Sequence, residues 1–243
     1  MIVLGDSLKS QFDGLIGARR IAVVPNGIDW KSTGIPANVL TSSPRYRILH
    51  LSTLSHLKGA LVLIEAIPLV VRHRQDVEFV LAGPWSHAVD EQWADRFIAE
   101  HGIAQYIRFT GQVDGDNKTA LFESANIFVF PGVQQEGQPL VVIEAMAAAL
   151  PVIFTDRGCI RDTVIDGETG IEVPINDPSQ LARHILHLLE HPDDMKMMGR
   201  LARQRYETLY TKERHIENMI EALTSSCASQ PLHEQKTIGR GRT

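Results

Sequence analysis

Two glutamates separated by seven residues, Glu136 and Glu144, stand where the sequence is best arranged for chemistry. The apolar run Phe128-Val129-Phe130-Pro131 reads as a buried strand, and Glu136 falls in the loop after it. Pro139 suits the first position of the next helix, because it lacks an amide hydrogen that would go unpaired there. The backbone amides of Leu140 and Val141 are then free. Unpaired donors and a partial positive charge at a helix N-terminus suit a phosphate. Glu144 lies a turn or so into this helix, flanked by Val141, Val142, Ile143, Ala145 and Met146. A charge in that company is costly unless paired or hydrogen-bonded. The vicinal hydroxyls of a ribose would satisfy it. So would a nearby Arg or Lys, or solvent, and spacing alone favours these plainer readings because short motifs recur by chance.

The elements around the pair indicate what positions it. Apolar runs of strand length at Ile48–Thr53, Val77–Ala82, Tyr106–Thr110, Ile127–Pro131 and Pro151–Thr155 alternate with helical patterns. The helices are expected near Lys58–Arg74, Val89–His101, Asn117–Ser124 and Pro139–Ala149, with Pro68 kinking the first. Strand–helix alternation with continuous apolar strands predicts an α/β fold, a Rossmann-like parallel sheet with helices on both faces. In such a sheet, ligands bind beyond the carboxyl ends of the strands. After Val173 the pattern is helical, with Asp177-Pro178 and His191-Pro192-Asp193 as starts and a last helix over Glu207–Leu223. Residues 1–30 form a short leading segment too small for its own core. Within it, Met1–Leu4 and Ile21–Pro25 read as strands and Ser7–Phe12 as a helix start. Residues 31–44 read as a linker, 45–224 as the main domain, and 225–243 as a disordered tail.

Composition narrows the classes of function. The chain has 243 residues, 44% of them hydrophobic, and a formal charge of -5. That balance argues against the basic footprint of a nucleic-acid binder. No stretch is long and apolar enough to cross a bilayer, although peripheral membrane contact stays open. Cys159 and Cys227 are distant in sequence and make no disulfide framework or metal-ligand spacing, so a reduced, cytoplasmic setting is expected. Ten histidines carry no zinc spacing and read as surface or packing residues. Asp114-Gly115-Asp116 matches a carboxylate pair used by some metal enzymes, but its position favours a turn with Asp116 as helix N-cap. Gly111 and Gly115 before Lys118-Thr119 lack the glycine that directly precedes the lysine of a P-loop. No G-x-G-x-x-G opens a helix after a strand, which weakens a dehydrogenase reading.

The segment from Glu136 through Glu144 to Ala-Met-Ala-Ala-Ala-Leu-Pro-Val-Ile resembles the signature of retaining group 1 glycosyltransferases of GT-B architecture. Other pieces follow in that family's order. Pro25-Asn26-Gly27-Ile28-Asp29 resembles its interdomain strand and turn, and Leu57-Lys58-Gly59 its phosphate-binding loop. Leu81-Ala82-Gly83 resembles the end of its second strand, and Phe109-Thr110-Gly111-Gln112-Val113 its base-binding turn. Asp166-Gly167-Glu168-Thr169-Gly170 and Val173-Pro174 resemble its closing hairpin. The resemblance covers about Ile21 to Leu223 and points to the C-terminal, donor-binding domain of that fold.

It implies roles for individual residues. Glu136 contacts the donor sugar's hydroxyls, and Lys58 neutralises the diphosphate as it leaves. Those two are the catalytic candidates. Gly137 permits close backbone approach, and the amides of Leu140 and Val141 hold the diphosphate. Glu144 accepts from the ribose hydroxyls, and Gln112 and Val113 lie near the base. The donor-binding set also takes in Ser52, Thr53, Gly83, Gln138 and Pro139. No metal or cofactor is implied; the nucleotide-diphosphate sugar is a substrate. Taken without the resemblance, Lys58 is a solvated lysine at a helix start.

The departures are specific. Ser52-Thr53 stands where the family usually has Gly-Arg, so one phosphate-binding charge is missing. Gly137-Gln138-Pro139 replaces a Gly-Phe-Gly, Gly158-Cys159 a Gly-Gly, and Arg161-Asp162 a Pro-Glu. Most of an N-terminal acceptor domain is absent, with residues 1–20 resembling its last strand and helix. The final helix, Glu207–Leu223, is expected to show an apolar face without a partner in this chain. The expected function is therefore sugar transfer to an acceptor, with retention, together with a separate or missing acceptor domain. The alternative is a non-catalytic nucleotide-sugar-binding or interaction module. A metal-dependent enzyme using Asp114 and Asp116 is a third, weaker reading.

Overall fold

The computed structural model describes residues 1–17, 20–32 and 46–228, with side chains to 225. Most of the expected linker and the segment 229–243 lie outside the described residues.

Six parallel strands form the main sheet: β3 (Tyr46–Leu51), β4 (Val77–Ala82), β5 (Ile107–Gly111), β6 (Ile127–Phe130), β7 (Val152–Phe154) and β8 (Gly170–Glu172). Their order is β5-β4-β3-β6-β7-β8. The register pairs Ile48 with Phe79 on one side and with Ile127 on the other. Successive strand residues point to opposite faces. Ile48, Phe79, Ile127, Val129 and Ile153 enter one core, and Leu49, Val80, Phe128, Phe130, Val152 and Phe154 enter the other. Both faces are therefore covered, which explains the near-continuous apolar strands in the sequence.

The first core packs under α1 (Ala60–Val71), α2 (Ala88–His101) and α6 (Pro178–Glu190). The second packs under α3 (Gly115–Ser124), α4 (Leu140–Ala147), α5 (Ile160–Thr163) and α7 (Pro192–Leu209). The α1 sequence ALVLIEAIPLVV is buried along almost its whole length, as its lack of charge apart from Glu65 requires. Pro68 falls in its last turn, where it removes one hydrogen bond. Asp177 caps α6, its carboxylate accepting from the Gln180 amide at 2.9 Å, with Pro178 opening the helix as expected.

Three expectations are corrected. The cap of α3 is Asp114, and Asp116 lies inside its first turn. Pro139 is the N-cap of α4, with Leu140 the first helical residue. The last helix is not continuous from Glu207: α7 ends at Leu209 and α8 (Lys212–Ala228) starts afresh. The break is tertiary in origin. Ile28 inserts at this point, its amide donating to the Tyr210 carbonyl at 3.0 Å and its carbonyl accepting from the Lys212 amide at 3.0 Å.

In the leading segment, β1 (Ile2–Val3) and β2 (Ala22–Val23) pair in parallel, joined in sequence through a 3-10 helix at Asp6–Phe12. Asp162 pins that helix to the main domain, accepting from the Ser7 amide at 2.9 Å and the Ser7 hydroxyl at 2.8 Å. On α8, Ile216, Ile220 and Leu223 follow helical spacing and are about half exposed, at 45%, 57% and 55%. This is the apolar face expected at the end of the chain. No helix among the described residues is long and apolar enough to cross a membrane.

Candidate functional site

Strand order reverses between β3 and β6, since β4 and β5 lie to one side of β3 and β6 to β8 lie to the other. Loops leaving two such strands diverge and open a crevice at the carboxyl edge. The loop after β3 carries Lys58 and the loop after β6 carries Glu136. Across the crevice the Lys58 Nζ stands 2.6 Å from Glu136 Oε1. Both side chains are largely withdrawn from solvent, 28% and 12% exposed. Lys58 is therefore not a solvated helix-start lysine.

The surrounding backbone fixes this meeting. The Leu57 carbonyl accepts from the amides of Val133 at 2.9 Å and Gln134 at 3.3 Å, tying one loop to the other. Gly59 follows Lys58 with φ +86, and a Cβ there would strike the Pro131 carbonyl. Gly158 holds the far side of the Glu136 loop. Its φ is +67, and a Cβ would overlap the Glu136 carbonyl. The Gly158 amide donates to Gln135 Oε1 at 2.8 Å and the Cys159 amide to the Gly137 carbonyl at 3.0 Å. Gln134 Nε2 donates to Glu136 Oε1 at 2.9 Å. Glu136 is thus held by a lysine, an amide and a clamped backbone.

At the start of α4 the Val142 amide reaches the Pro139 carbonyl at 3.1 Å. The first-turn amides of Leu140 and Val141 have no acceptor within the helix. They stand three and four residues beyond Gly137, at the end of the Glu136 loop. Gln138 behaves differently from the donor-contacting residue expected. It is buried, its Oε1 accepting from the Asn26 amide at 2.6 Å and its Nε2 donating to Thr163 Oγ1 at 3.0 Å. Its side chain ties the Asn26 backbone and Thr163 to the site loop. Gly83 is likewise a packing residue, with φ +128 and no room for a Cβ beside the Ser52 carbonyl. Thr53 is exposed in the loop after β3, and Gln112 is exposed just after the edge strand β5, with Val113 packed on the second core.

Glu144 has a cationic partner. Lys118 of α3 reaches across to it, Nζ to Oε1 at 2.5 Å, and the carboxylate is 13% exposed. Its other oxygen, Oε2, is sealed from solvent without a hydrogen bond.

Sequence reasoning missed His50, in the strand Tyr46–Leu51. It is fully buried, with Nδ1 2.9 Å from the Val129 carbonyl and Nε2 2.8 Å from Ser52 Oγ. A carbonyl can only accept, so the proton sits on Nδ1 and the bare Nε2 accepts from the Ser52 hydroxyl. Burial pushes the imidazole pKa down to about 4 against the pull of the Val129 bond, and nearby Lys58 lowers it further, so the ring is neutral. The Ser52 hydroxyl also reaches the Thr53 carbonyl at 3.1 Å, so its one hydrogen is shared between that acceptor and Nε2. His50 is the one ionisable residue between Leu49 and Leu51, a signal of the same kind as the one that drew attention to Glu144. Lys118 and Gly158 carried no comparable signal, because their partners are remote in sequence. Cys159, beside Gly158, is also buried, and burial with the neighbouring Asp162 pushes its thiol up to about 11.

A parallel α/β domain with a crevice at its switch point, a paired lysine and glutamate across it, and a helix N-terminus beside them defines a class of phosphate- and hydroxyl-binding sites. The family model described as Glycosyl transferases group 1 matches residues 45–191, and the chain belongs to that family. It is 33% identical over 171 residues to a phosphatidyl-myo-inositol mannosyltransferase of Mycobacterium leprae, which covers 69% of this chain and 44% of that protein. The chain thus spans less than half the length of that relative. The glycosyltransferase structure from Rickettsia africae superposes with a TM-score of 0.85 at 20% identity, covering 94% of this chain and 64% of that one. Anabaena Alr3699/HepE, solved in complex with UDP-glucose, gives a TM-score of 0.77 at 19% identity over 92% of this chain and 63% of its own. The parallel Rossmann-like α/β domain expected is the one found, and it matches GT-B glycosyltransferase structures over part of their length.

Proposed function

We propose that this chain is the donor-binding half of a glycosyltransferase that takes a nucleoside-diphosphate sugar into the crevice between β3 and β6. The observation that carries the reading is the Lys58–Glu136 pair at 2.6 Å beside the free first-turn amides of α4. Nucleotide binding draws Lys58 towards the diphosphate, where its charge offsets the negative charge that develops on the leaving group. The Leu140 and Val141 amides share that load. Glu136, freed of part of its pairing, accepts from the donor sugar's hydroxyls and fixes its orientation. Glu144 accepts from the ribose, and the turn at Gln112 and Val113 takes the base. The UDP-glucose complex of the Anabaena neighbour supports a donor of this type. Transfer proceeds with retention at the anomeric carbon and without a metal. The acceptor comes from an N-terminal domain or a partner chain docked against the apolar face of α8.

Calorimetry of the folded chain with UDP, GDP and ADP and their glucose or mannose conjugates tests this. Saturable binding of at least one, weakened ~10- to 100-fold in Lys58→Ala, is expected. No binding of any at millimolar concentration overturns it. The alternative, an interaction module without catalysis, draws on Ser52 and Thr53 standing in place of the Gly-Arg pair. Sugar transfer by the chain together with an acceptor domain removes that alternative.

A further inference from the structure

The ion pair between Lys118 and Glu144 joins two helices whose other duties lie at the same ligand. Lys118 is the fourth residue of α3, its amide donating to the Asp114 carbonyl at 3.2 Å. The turn Gly111–Asp114 that leads directly into this helix carries Gln112 and Val113. Glu144 sits in α4, whose first turn supplies the Leu140 and Val141 amides. In the donor-binding reading a nucleotide has its base at that turn and its diphosphate at those amides, with the ribose beside Glu144. The carboxylate there is unevenly satisfied. Oε1 takes the lysine at 2.5 Å, while Oε2, sealed from solvent, accepts no hydrogen bond among the described residues. A buried acceptor of this kind costs stability unless a donor reaches it in some functional state. The residues flanking Glu144 on its own helix are Ile143 and Ala145, which offer no side-chain donor.

We infer that Lys118 is a positioning residue for ribose selection: it holds Glu144 by one oxygen so that the other is kept for a ribose hydroxyl. The inference rests on the donor-binding reading of the crevice. Its chemistry is simple. A carboxylate has two acceptor oxygens, and an ammonium that occupies one fixes the rotation of the group and sets the direction of the second. Removing the ammonium leaves the carboxylate free to turn and without a compensating charge in an apolar setting. The ligand feature under selection is the 2′-hydroxyl, because a deoxyribose offers the second oxygen one donor fewer.

Paired titrations test this with UDP, GDP and ADP against dUDP, dGDP and dADP, on wild type, Lys118→Met, Lys118→Gln and Lys118→Arg. The wild type is expected to prefer the ribose member of the pair it binds by ~10-fold or more, the worth of one hydrogen bond to a charged group. Lys118→Met and Lys118→Gln are expected to lose that preference, weakening the ribose form while leaving the deoxyribose form nearly unchanged. Lys118→Arg is expected to restore most of it. A role in folding alone would weaken both forms equally and leave the ratio intact. An unchanged ratio, or tighter ribonucleotide binding, in either neutral variant overturns the inference, as does a wild type that binds both forms equally. If the folded wild type binds none of the six, the donor-binding reading falls and this inference falls with it.

Discussion

Lys58 and Glu136 arrive from neighbouring strands and meet with Nζ 2.6 Å from Oε1, across the crevice where strand order reverses. The pair keeps each charge compensated in a partly desolvated cleft. In the proposed function the same two groups turn, one to a diphosphate and the other to a sugar.

Replacing Lys58 by Ala removes the one side-chain cation that the two crevice loops bring to Glu136. Nucleotide affinity is expected to fall by ~10- to 100-fold, the worth of a charged hydrogen bond to an anion. Calorimetry gives the affinity, and the circular dichroism spectrum should remain that of the native fold. Equal affinity in the variant removes Lys58 from the diphosphate site.

Gly158→Ala places a methyl against the Glu136 carbonyl at a left-handed φ. Strain of this kind costs about 1–3 kcal/mol before the overlap is counted. Urea unfolding should show a loss at least of that size. Binding should weaken as well, because the loop that carries Glu136 must shift. A variant as stable as the wild type would show that the loop has room that the backbone geometry denies it.

His50 makes stability depend on pH in a defined direction. Its folded pKa, about 4, lies below the ordinary 6.5, so the unfolded chain takes up the proton first as pH falls. Its contribution is complete above 6.5 and is lost between 6.5 and about 4, in total roughly 3 kcal/mol. Urea unfolding at a series of pH values should reveal the slope, and His50→Gln should flatten it. An identical slope in the variant assigns the effect to other groups.

Cys159 is buried and its thiol is pushed up to about 11 by burial and Asp162. It should resist alkylation at pH 8 in the native protein and react once urea is added, as peptide mass mapping can follow. Rapid native labelling at Cys159 would contradict its burial.

Much of this arrangement was legible from local signals. Strand-length apolar runs gave the parallel sheet, Asp177-Pro178 gave the start of α6, and the Pro139 region gave a helix start within one residue. Glu144 stood out as a charge among apolar residues, as did the need for a partner. What was not legible depended on residues distant in the chain. Nothing local marks Lys118 as that partner, 26 positions earlier. The break at Tyr210 is imposed by Ile28, so the helical pattern of Glu207–Leu223 reads as unbroken. Gln138 sits in a motif and looked like a ligand contact, but Asn26 and Thr163 claim its side chain. Polar residues in a motif compete between ligand and scaffold, and only the fold decides which prevails.

The central claim is that a nucleoside diphosphate docks between the Lys58 loop and the start of α4. Backbone amide NMR of the folded chain, titrated with the nucleotide that calorimetry selects, tests this most directly. The account predicts the largest shifts at Leu140 and Val141, with Lys58, Gly137 and Gln112 next, and the same shifts reached only at higher nucleotide concentration in Lys58→Ala. Shifts confined to another part of the surface, or none at saturating nucleotide, would contradict it.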